Sequence, residues 1–234
     1  MADVRQHWEI QSSARQHVFQ QIRSEIIAGH ALPGSMYSVP SIAETLGTST
    51  TPVREALLEL VRLGLLEPHR NRGFRVTAPS LSETKNIFEM REVLEVHAAK
   101  IVASRQDRDI SHLKKIADQI ATAVERENFR AYLISDREFH LELTKAAGNN
   151  ILTETIFSLR DRMRFYGDVS DEGYKRQKAS VPEHYKIAEL ACAGKASEVG
   201  KLLSKHIRSW EPLFISALKG GRTVFATKQG SLTS

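Results

Sequence analysis

An aspartate and a histidine lie on a predicted helical face where apolar residues are expected. Asp136 and His140 are four residues apart in a segment that predicts a helix over residues 129–147. The same face carries apolar or small residues at Phe129, Leu133, Leu143 and Ala147. Because steps of three and four match the helical repeat, both polar side chains point into whatever this face covers. A buried carboxylate is costly without a partner, so Asp136 must be paired or bind a cation.

Two further predicted helices each place one histidine on an apolar stripe. His184 lies in the segment 181–193 with Ile187, Ala188 and Ala191. His206 lies in the segment 196–218 with Val199, Leu202, Leu203, Trp210 and Phe214. Neutral imidazoles and a carboxylate suit a divalent transition metal, and side chains from three helices can converge inside a bundle. The pattern alone leaves open the alternative of hydrogen-bonded core histidines and an Asp136–His140 ion pair.

Two arginines on predicted apolar stripes are candidates for binding an anionic effector. Arg91 shares its stripe with Ile87, Leu94, Ala98 and Ile101 in a helix predicted over residues 83–104. A guanidinium binds a carboxylate through two parallel hydrogen bonds, so a bound organic acid is one partner, and Glu95 is the other. Arg162 lies in a helix predicted over residues 151–167, with Leu152, Thr155, Leu159 and Tyr166. The alternative for Arg162 is that its charged end extends into solvent.

The elements before these helices predict a small domain over residues 12–78. Val18, Ile22 and Ile26 form one face of a helix over residues 14–28. A short helix follows over residues 38–47, and a third helix has Thr51 as its predicted N-cap and buries Val53, Leu57 and Leu60. The segment LLEPHRNRGFRVT then predicts two short strands around an Arg-Asn-Arg-Gly turn. This order of elements is typical of a winged helix-turn-helix.

The rest of the chain predicts an all-helical bundle. After a linker over residues 79–82, each segment of residues 83–218 has the helical period. The remaining predicted helix spans residues 109–127, and a polar loop is predicted over residues 167–180. Residues 219–234 have the composition of a disordered tail. The predicted fold class is therefore mainly α: a winged helix-turn-helix of three helices and a β wing, followed by an all-α antiparallel bundle.

Composition narrows the class of protein further. Of the 234 residues, 41% are apolar and 26% are charged, as expected for a globular chain rather than a disordered one. No apolar run is long enough to span a membrane, and the single cysteine, Cys192, cannot form an internal disulfide, so a cytoplasmic protein is expected. The net charge of +5 is weak support for a nucleic-acid partner. The local cluster of Arg70, Arg72 and Arg75 is more informative because it contains no acidic residue.

Longer motifs resemble a known family over about residues 12–218. The segment PSIAETLGTSTTPVREALLELVRLGLLEPHRNRGFRV closely resembles the DNA-binding domain of the GntR family of bacterial transcriptional regulators. The segments MREVLEVHAAKIVA, DREFHLELTKAAGNN and EHYKIAELACAGK, with His206, resemble the FCD ligand-binding domain of its FadR-like branch. The resemblance implies a homodimer that binds an inverted-repeat operator in double-stranded DNA, more often as a repressor.

The same resemblance implies specific ligands in the helical domain. Asp136, His140, His184 and His206 fall on the metal-ligand positions of the family, and Arg91 falls where an arginine often faces the effector. The implied cofactor is a divalent transition metal, zinc first, with nickel, manganese or iron as alternatives. The implied effector is a small organic acid.

The resemblance also implies a DNA-contacting surface on the recognition helix and the wing. The predicted contacts are Ser49, Thr50, Thr51, Val53, Arg54, Arg70, Arg72 and Gly73. Arg54 has bidentate reach to guanine, whereas the wing arginines are expected to contact phosphates or the minor groove. The chain departs from the family at Thr50 and Pro40, where arginines are common. The operator sequence therefore cannot be carried over.

Two other functions remain open at this point. The first is a DNA-binding regulator that has a purely structural metal or no effector. The second is an enzyme that uses the bundle metal for hydrolysis, although no clear general base lies beside the candidate ligands. An attached winged helix has no role in such an enzyme, so the sequence favours a regulator over a catalyst.

Overall fold

The chain divides into two compact units that meet between Pro79 and Ser80. A computed structural model describes residues 2–27, 30–106, 109–163 and 170–219, with side chains from residue 13 onward. Unit 1 is Met1–Pro79 and unit 2 is Ser80–Ser234. Each unit has its own hydrophobic core. In the described part of the chain, no helix combines the length and apolar character needed to cross a membrane.

Unit 1 is a winged helix-turn-helix. Its elements are α1 (Ala2–Ile27), β1 (Met36–Tyr37), α2 (Val39–Thr45), α3 (Thr50–Arg62), β2 (Leu66–His69) and β3 (Gly73–Val76). The antiparallel sheet has the order β1-β3-β2. The predicted stripes on α1 and α3 are buried and pack in one core. The N-cap of α3 is Ser49 rather than the predicted Thr51, so the helix begins one residue before Thr51.

The sequence predicted two strands, and the sheet contains a third, β1. This strand was not predicted because two residues are too few to show an alternating pattern. Met36 pairs with Arg75, and Tyr37 pairs with Phe74. Gly73 has a φ of 104°, and a Cβ there would overlap the carbonyl oxygen of Tyr37. Position 73 therefore requires glycine both for its backbone conformation and for the close approach of β1. The strand fastens the wing to the rest of the unit.

Unit 2 is a bundle made only of helices within the described residues. They are α4 (Leu81–Ser104), α5 (His112–Glu125), α6 (Phe129–Lys145), α7 (Asn150–Arg162), α8 (Asp171–Cys192), α9 (Ala196–Arg208) and α10 (Glu211–Lys219). Its core includes Phe88, Tyr132 and Phe139, whose side chains are fully buried. The predicted fold class, a winged helix-turn-helix followed by an all-α bundle, is confirmed.

The largest differences from the predicted helix boundaries in unit 2 concern α8 and the last predicted helix. Helix α8 begins at Asp171, inside the predicted loop, because Ser170 caps it through Gly173 N and two acidic residues occupy the first turn. The predicted helix 196–218 is two helices, α9 and α10. Pro212 lies in the first turn of α10, where its missing N–H is not needed, whereas it could not continue α9.

The start of unit 2 also differs from prediction. Helix α4 begins at Leu81, within the predicted linker, because Ser80 and Glu83 form a capping box. Ser80 Oγ accepts from Glu83 N at 3.1 Å, and Ser80 N donates to Glu83 Oε2 at 3.4 Å. The predicted disordered tail lies outside the described residues apart from Lys219, the last residue of α10.

Candidate metal centre

The four predicted metal ligands lie together inside the helical bundle. Helix α6 supplies Asp136 and His140, α8 supplies His184 and α9 supplies His206. Each offers one ligand atom, and these atoms all lie within 4.8 Å of one another. Every one of the four residues is at most 5% exposed. The cluster is therefore buried, compact and built from nitrogen and oxygen donors, as a transition-metal site requires.

Each imidazole has its Nδ1 beside a carbonyl or carboxylate oxygen, which accepts a hydrogen bond from it in His184 and His206. His184 Nδ1 donates to the carbonyl oxygen of Ser180 at 2.8 Å. His206 Nδ1 donates to Glu183 Oε2 at 2.7 Å, and His140 Nδ1 lies 3.2 Å from Glu95 Oε2. In a neutral imidazole these contacts place the proton on Nδ1 and leave the Nε2 lone pair free to ligate.

The free Nε2 atoms face the carboxylate of Asp136. Oδ1 of Asp136 lies 3.2 Å from His184 Nε2 and 3.8 Å from His140 Nε2. Among the described residues, neither Nε2 atom has a hydrogen-bond donor to satisfy it. Lone pairs on nitrogen and oxygen that face each other in a buried site repel unless a cation lies between them. The arrangement of acceptors thus fits a metal ion.

Burial and neighbouring charges keep Asp136, His140 and His206 in the protonation states that a metal needs. Burial, reinforced by the guanidinium of Arg160, lowers the pKa of His140 to about 4. Burial also lowers the pKa of His206 to about 3, although the hydrogen bond that His206 donates to Glu183 acts in the opposite direction. Burial alone would raise the pKa of Asp136, but the imidazoles and Arg160 hold it well below its usual value. Neutral imidazoles and an ionised carboxylate are the metal-binding forms.

The contacts of three charged residues with the cluster were not predicted from the sequence, although Glu95 was named there as a partner for Arg91. Arg160 on α7 binds Asp136, Glu95 on α4 lies beside His140, and Glu183 on α8 holds His206. Arg176 in turn donates to Glu183, with its Nη1 at 3.1 Å from Oε1. Glu183 precedes His184 directly, but its neighbour on α9 could not be inferred without the packing of the helices.

The two arginines predicted to bind an effector have different positions. Arg91 is buried, and its Nε donates to Glu95 Oε1 at 2.8 Å, so the alternative partner named above is the one it contacts. Arg162 is half-buried and pairs with Glu83 in the first turn of α4. The role of Arg162 in binding an effector therefore stays a prediction, and the contact that the structure gives its guanidinium is the one with Glu83. The stripe used for it also included Tyr166, which lies outside the described residues.

The predicted DNA-contacting residues of unit 1 fall into two groups. Ser49, Thr50, Thr51 and Arg54 are exposed at the beginning of α3, and the wing residues Arg70 and Arg72 are exposed at the turn between β2 and β3. Val53 is fully buried in the core of unit 1, so its prediction as a DNA contact is wrong. Gly73 is half-buried against Tyr37, which gives it a structural role in the wing.

Both units match models of known protein families. Residues 14–76 match the model of bacterial regulatory proteins of the gntR family, and residues 86–209 match the FCD domain. The Nta operon transcriptional regulator of Aminobacter aminovorans is 26% identical over 205 residues, which cover 86% of this chain and 95% of that protein. The transcriptional repressor RspR of Escherichia coli is 27% identical over 154 residues, which cover 64% of this chain and 68% of that protein. These relatives are transcriptional regulators, so the hydrolase alternative is excluded.

Solved structures share the same fold. Escherichia coli McbR/YncC has a TM-score of 0.76 at 21% identity, covering 87% of this chain and 97% of that chain. A GntR regulator from Rhodococcus sp. RHA1 has a TM-score of 0.76 at 24% identity, covering 88% of this chain and 99% of that chain. At these identities the likeness establishes the fold alone.

The depressed pKa values predict how the stability of the metal-free protein depends on pH. Folded His140 and His206 take up protons only near pH 4 and pH 3, whereas an unfolded histidine does so near pH 6.5. Because the unfolded state binds more protons below pH 6.5, stability present at neutral pH is lost as the pH falls toward 4. Between pH 7.5 and pH 5.5 we expect a loss of about 1 kcal/mol per histidine.

Urea unfolding of chelator-treated protein at the two pH values measures this loss. The variant His140→Gln should lose less stability on acidification than the wild type. His97→Gln, which changes an exposed histidine of α4, is the matched control and should behave as the wild type. Equal unfolding free energies of the metal-free wild type at pH 7.5 and pH 5.5 would contradict the depressed pKa values.

Proposed function

The chain belongs to the gntR family of bacterial regulatory proteins and carries an FCD domain, and on this premise we propose that it is a metal-dependent, acid-responsive repressor. Its operator affinity is set by a small carboxylate bound beside a divalent metal ion in the helical domain. A regulator of this kind acts on operator DNA in the bacterial cytoplasm. The metal is zinc first, with nickel, manganese or iron as alternatives, because three nitrogens and one oxygen suit each of these ions.

The charge balance of the buried site is the observation that supports an acidic effector. The guanidinium groups of Arg91 and Arg160 offset the carboxylates of Glu95 and Asp136, to which they are bound. With neutral imidazoles, this interior is close to electrically neutral. A divalent ion adds two positive charges where few water molecules can screen them, so an anionic ligand stabilises the loaded site more than a neutral one.

Neighbouring residues hold the candidate ligands in the orientation that a metal ion and an effector need. When bound, the metal would supply an electrophilic point for a ligand oxygen. Ser180, Glu183 and Glu95 keep the three imidazoles oriented toward the centre. Because α6, α8 and α9 each carry ligands, an effector that favours one arrangement of these helices changes the free energy of the DNA-binding state. A difference of about 1–3 kcal/mol is sufficient for a large change in operator occupancy.

We expect the protein to act as a homodimer on an inverted-repeat site. One winged helix contacts only a few base pairs, and its affinity at physiological salt is low. Two units related by twofold symmetry double the contacts and match a palindromic operator. Analytical ultracentrifugation should show a dimer at micromolar concentration. A monomer at that concentration would contradict this expectation.

Arg54 and Arg72 should affect DNA binding in different ways. Arg54 is exposed near the start of α3, where a recognition helix meets base edges, and Arg72 is exposed on the wing. An operator selected from random DNA provides the probe. Arg54→Ala should remove the preference for this operator over random DNA, whereas Arg72→Ala should weaken binding to both and lower the salt dependence. Operator preference that survives Arg54→Ala would mean that the recognition surface is misassigned.

Loss of two ligands should separate effector sensing from DNA binding. We expect His184→Ala with His206→Ala to lose bound metal and effector-induced release from operator DNA, with the DNA affinity of the effector-free protein retained. His97→Ala with His112→Ala removes two exposed histidines of the same unit and is the matched control. Metal content by mass spectrometry and a titration with a panel of small carboxylic acids report the two properties. A double variant that releases DNA as the wild type does would favour a purely structural metal.

A further inference from the structure

Arg160 connects a metal ligand to a second buried carboxylate. It lies on α7, and its side chain is 9% exposed. Its Nη2 donates to Asp136 Oδ2 at 2.8 Å. Its Nη1 lies 2.8 Å from Glu95 Oε2 and 3.1 Å from Glu95 Oε1. One guanidinium therefore binds carboxylates on two other helices, α6 and α4.

Because of this contact, the two carboxylate oxygens of Asp136 face different partners. Oδ2 is occupied by Arg160, whereas Oδ1 faces the Nε2 atoms of His140 and His184. A carboxylate free to rotate could bind a metal through both oxygens. With one oxygen bound to a guanidinium, it offers the other alone. The second contact of Arg160, to Glu95, also fixes the group beside His140 Nδ1.

We infer that Arg160 is a positioning residue of the metal centre, which holds Asp136 as a ligand through Oδ1 alone and leaves coordination positions open for the effector. This inference rests on the proposed function because it assumes a bound metal. Arginine suits the position because its planar fork donates in two directions at once. A lysine has one ammonium group at the end of a flexible chain, so it cannot hold both carboxylates in the same geometry.

The chain contains a matched control for this role. Arg137 on α6 pairs with Asp161, a buried carboxylate on α7, so this pair joins the same two helices as Arg160 and Asp136. Both guanidinium groups lie near the ring of Phe157, at 4.7 Å for Arg137 and 5.9 Å for Arg160. Arg137→Lys thus perturbs an ion pair between the same two helices that does not include a candidate metal ligand, although the Arg137 side chain is more exposed, at 29% against 9% for Arg160.

The test compares Arg160→Lys and Arg137→Lys as full-length proteins loaded with Co²⁺. Competition with a chromophoric chelator measures the metal affinity, and the visible d–d spectrum reports coordination number. For Arg160→Lys we expect Co²⁺ affinity to fall about 10–100-fold and the absorption at saturating metal to weaken, because Asp136 becomes free to bind through both oxygens. Arg137→Lys should retain the wild-type affinity and spectrum.

An unchanged affinity and spectrum in Arg160→Lys would overturn the inference. Circular dichroism checks the fold of each variant, and Arg160→Gln replaces Arg160→Lys, with the same expectation, if the latter does not fold. An equal loss of affinity in both lysine variants would also overturn it, because the effect would then reflect general loosening of the α6–α7 packing. Failure of the wild type to bind Co²⁺ would instead reject the metal in the proposed function, and this inference with it.

Discussion

A single buried carboxylate, Asp136, determines the arrangement of charges in the helical domain. Removing its charge from water costs several kcal/mol, so each neighbouring charge must be offset in turn. Arg160 offsets Asp136, Glu95 offsets Arg160, and Arg91 binds the other side of Glu95. These ion pairs, in which negative and positive groups alternate, connect α6 through α7 to α4. Burial keeps the imidazoles of His140 and His206 neutral beside it, which leaves their lone pairs available to a cation.

The buried Asp/His cluster could be predicted because each of its residues lies on a strong local period. The spacing of Asp136 and His140 among apolar residues places both side chains on the buried face of α6. This placement does not depend on where the helix begins and ends. Arg160 and Arg162 show where this reasoning fails. The stripe predicted for Arg162 passes through Thr155, which is exposed, whereas steps of four from Leu152 through Ile156 reach Arg160. Neighbouring stripes on one helix differ little in sequence, and only the packing of α7 against α4 and α6 selects between them.

The failure to predict the first half of α8 has a different physical cause. Its first half buries Gly173, Gln177 and Ser180, and Tyr174 is only partly buried against the core, so the inward face gives no hydrophobic period. The segment therefore has the composition of a loop although it is helical. This half of α8 matters for the site because Ser180 supplies the carbonyl that orients His184, and its side chain also hydrogen-bonds Tyr132. A helix whose buried face consists of small and polar residues therefore cannot be recognised from its hydrophobic period, even where it contributes to a site.

The capping box at Ser80 makes the join between the two units a natural point for recombination. The signal that starts α4 lies wholly within residues 80–83, so the helix does not depend on the residues before it for its first turn. Everything that fixes the spacing from this cap to Arg91 and Glu95 also lies within α4. Exchanging the chain up to Pro79 for another DNA-binding head leaves that spacing intact. Sensor domains of this design can therefore be shuffled among operators as modules, with the sequence recognised and the ligand sensed evolving separately.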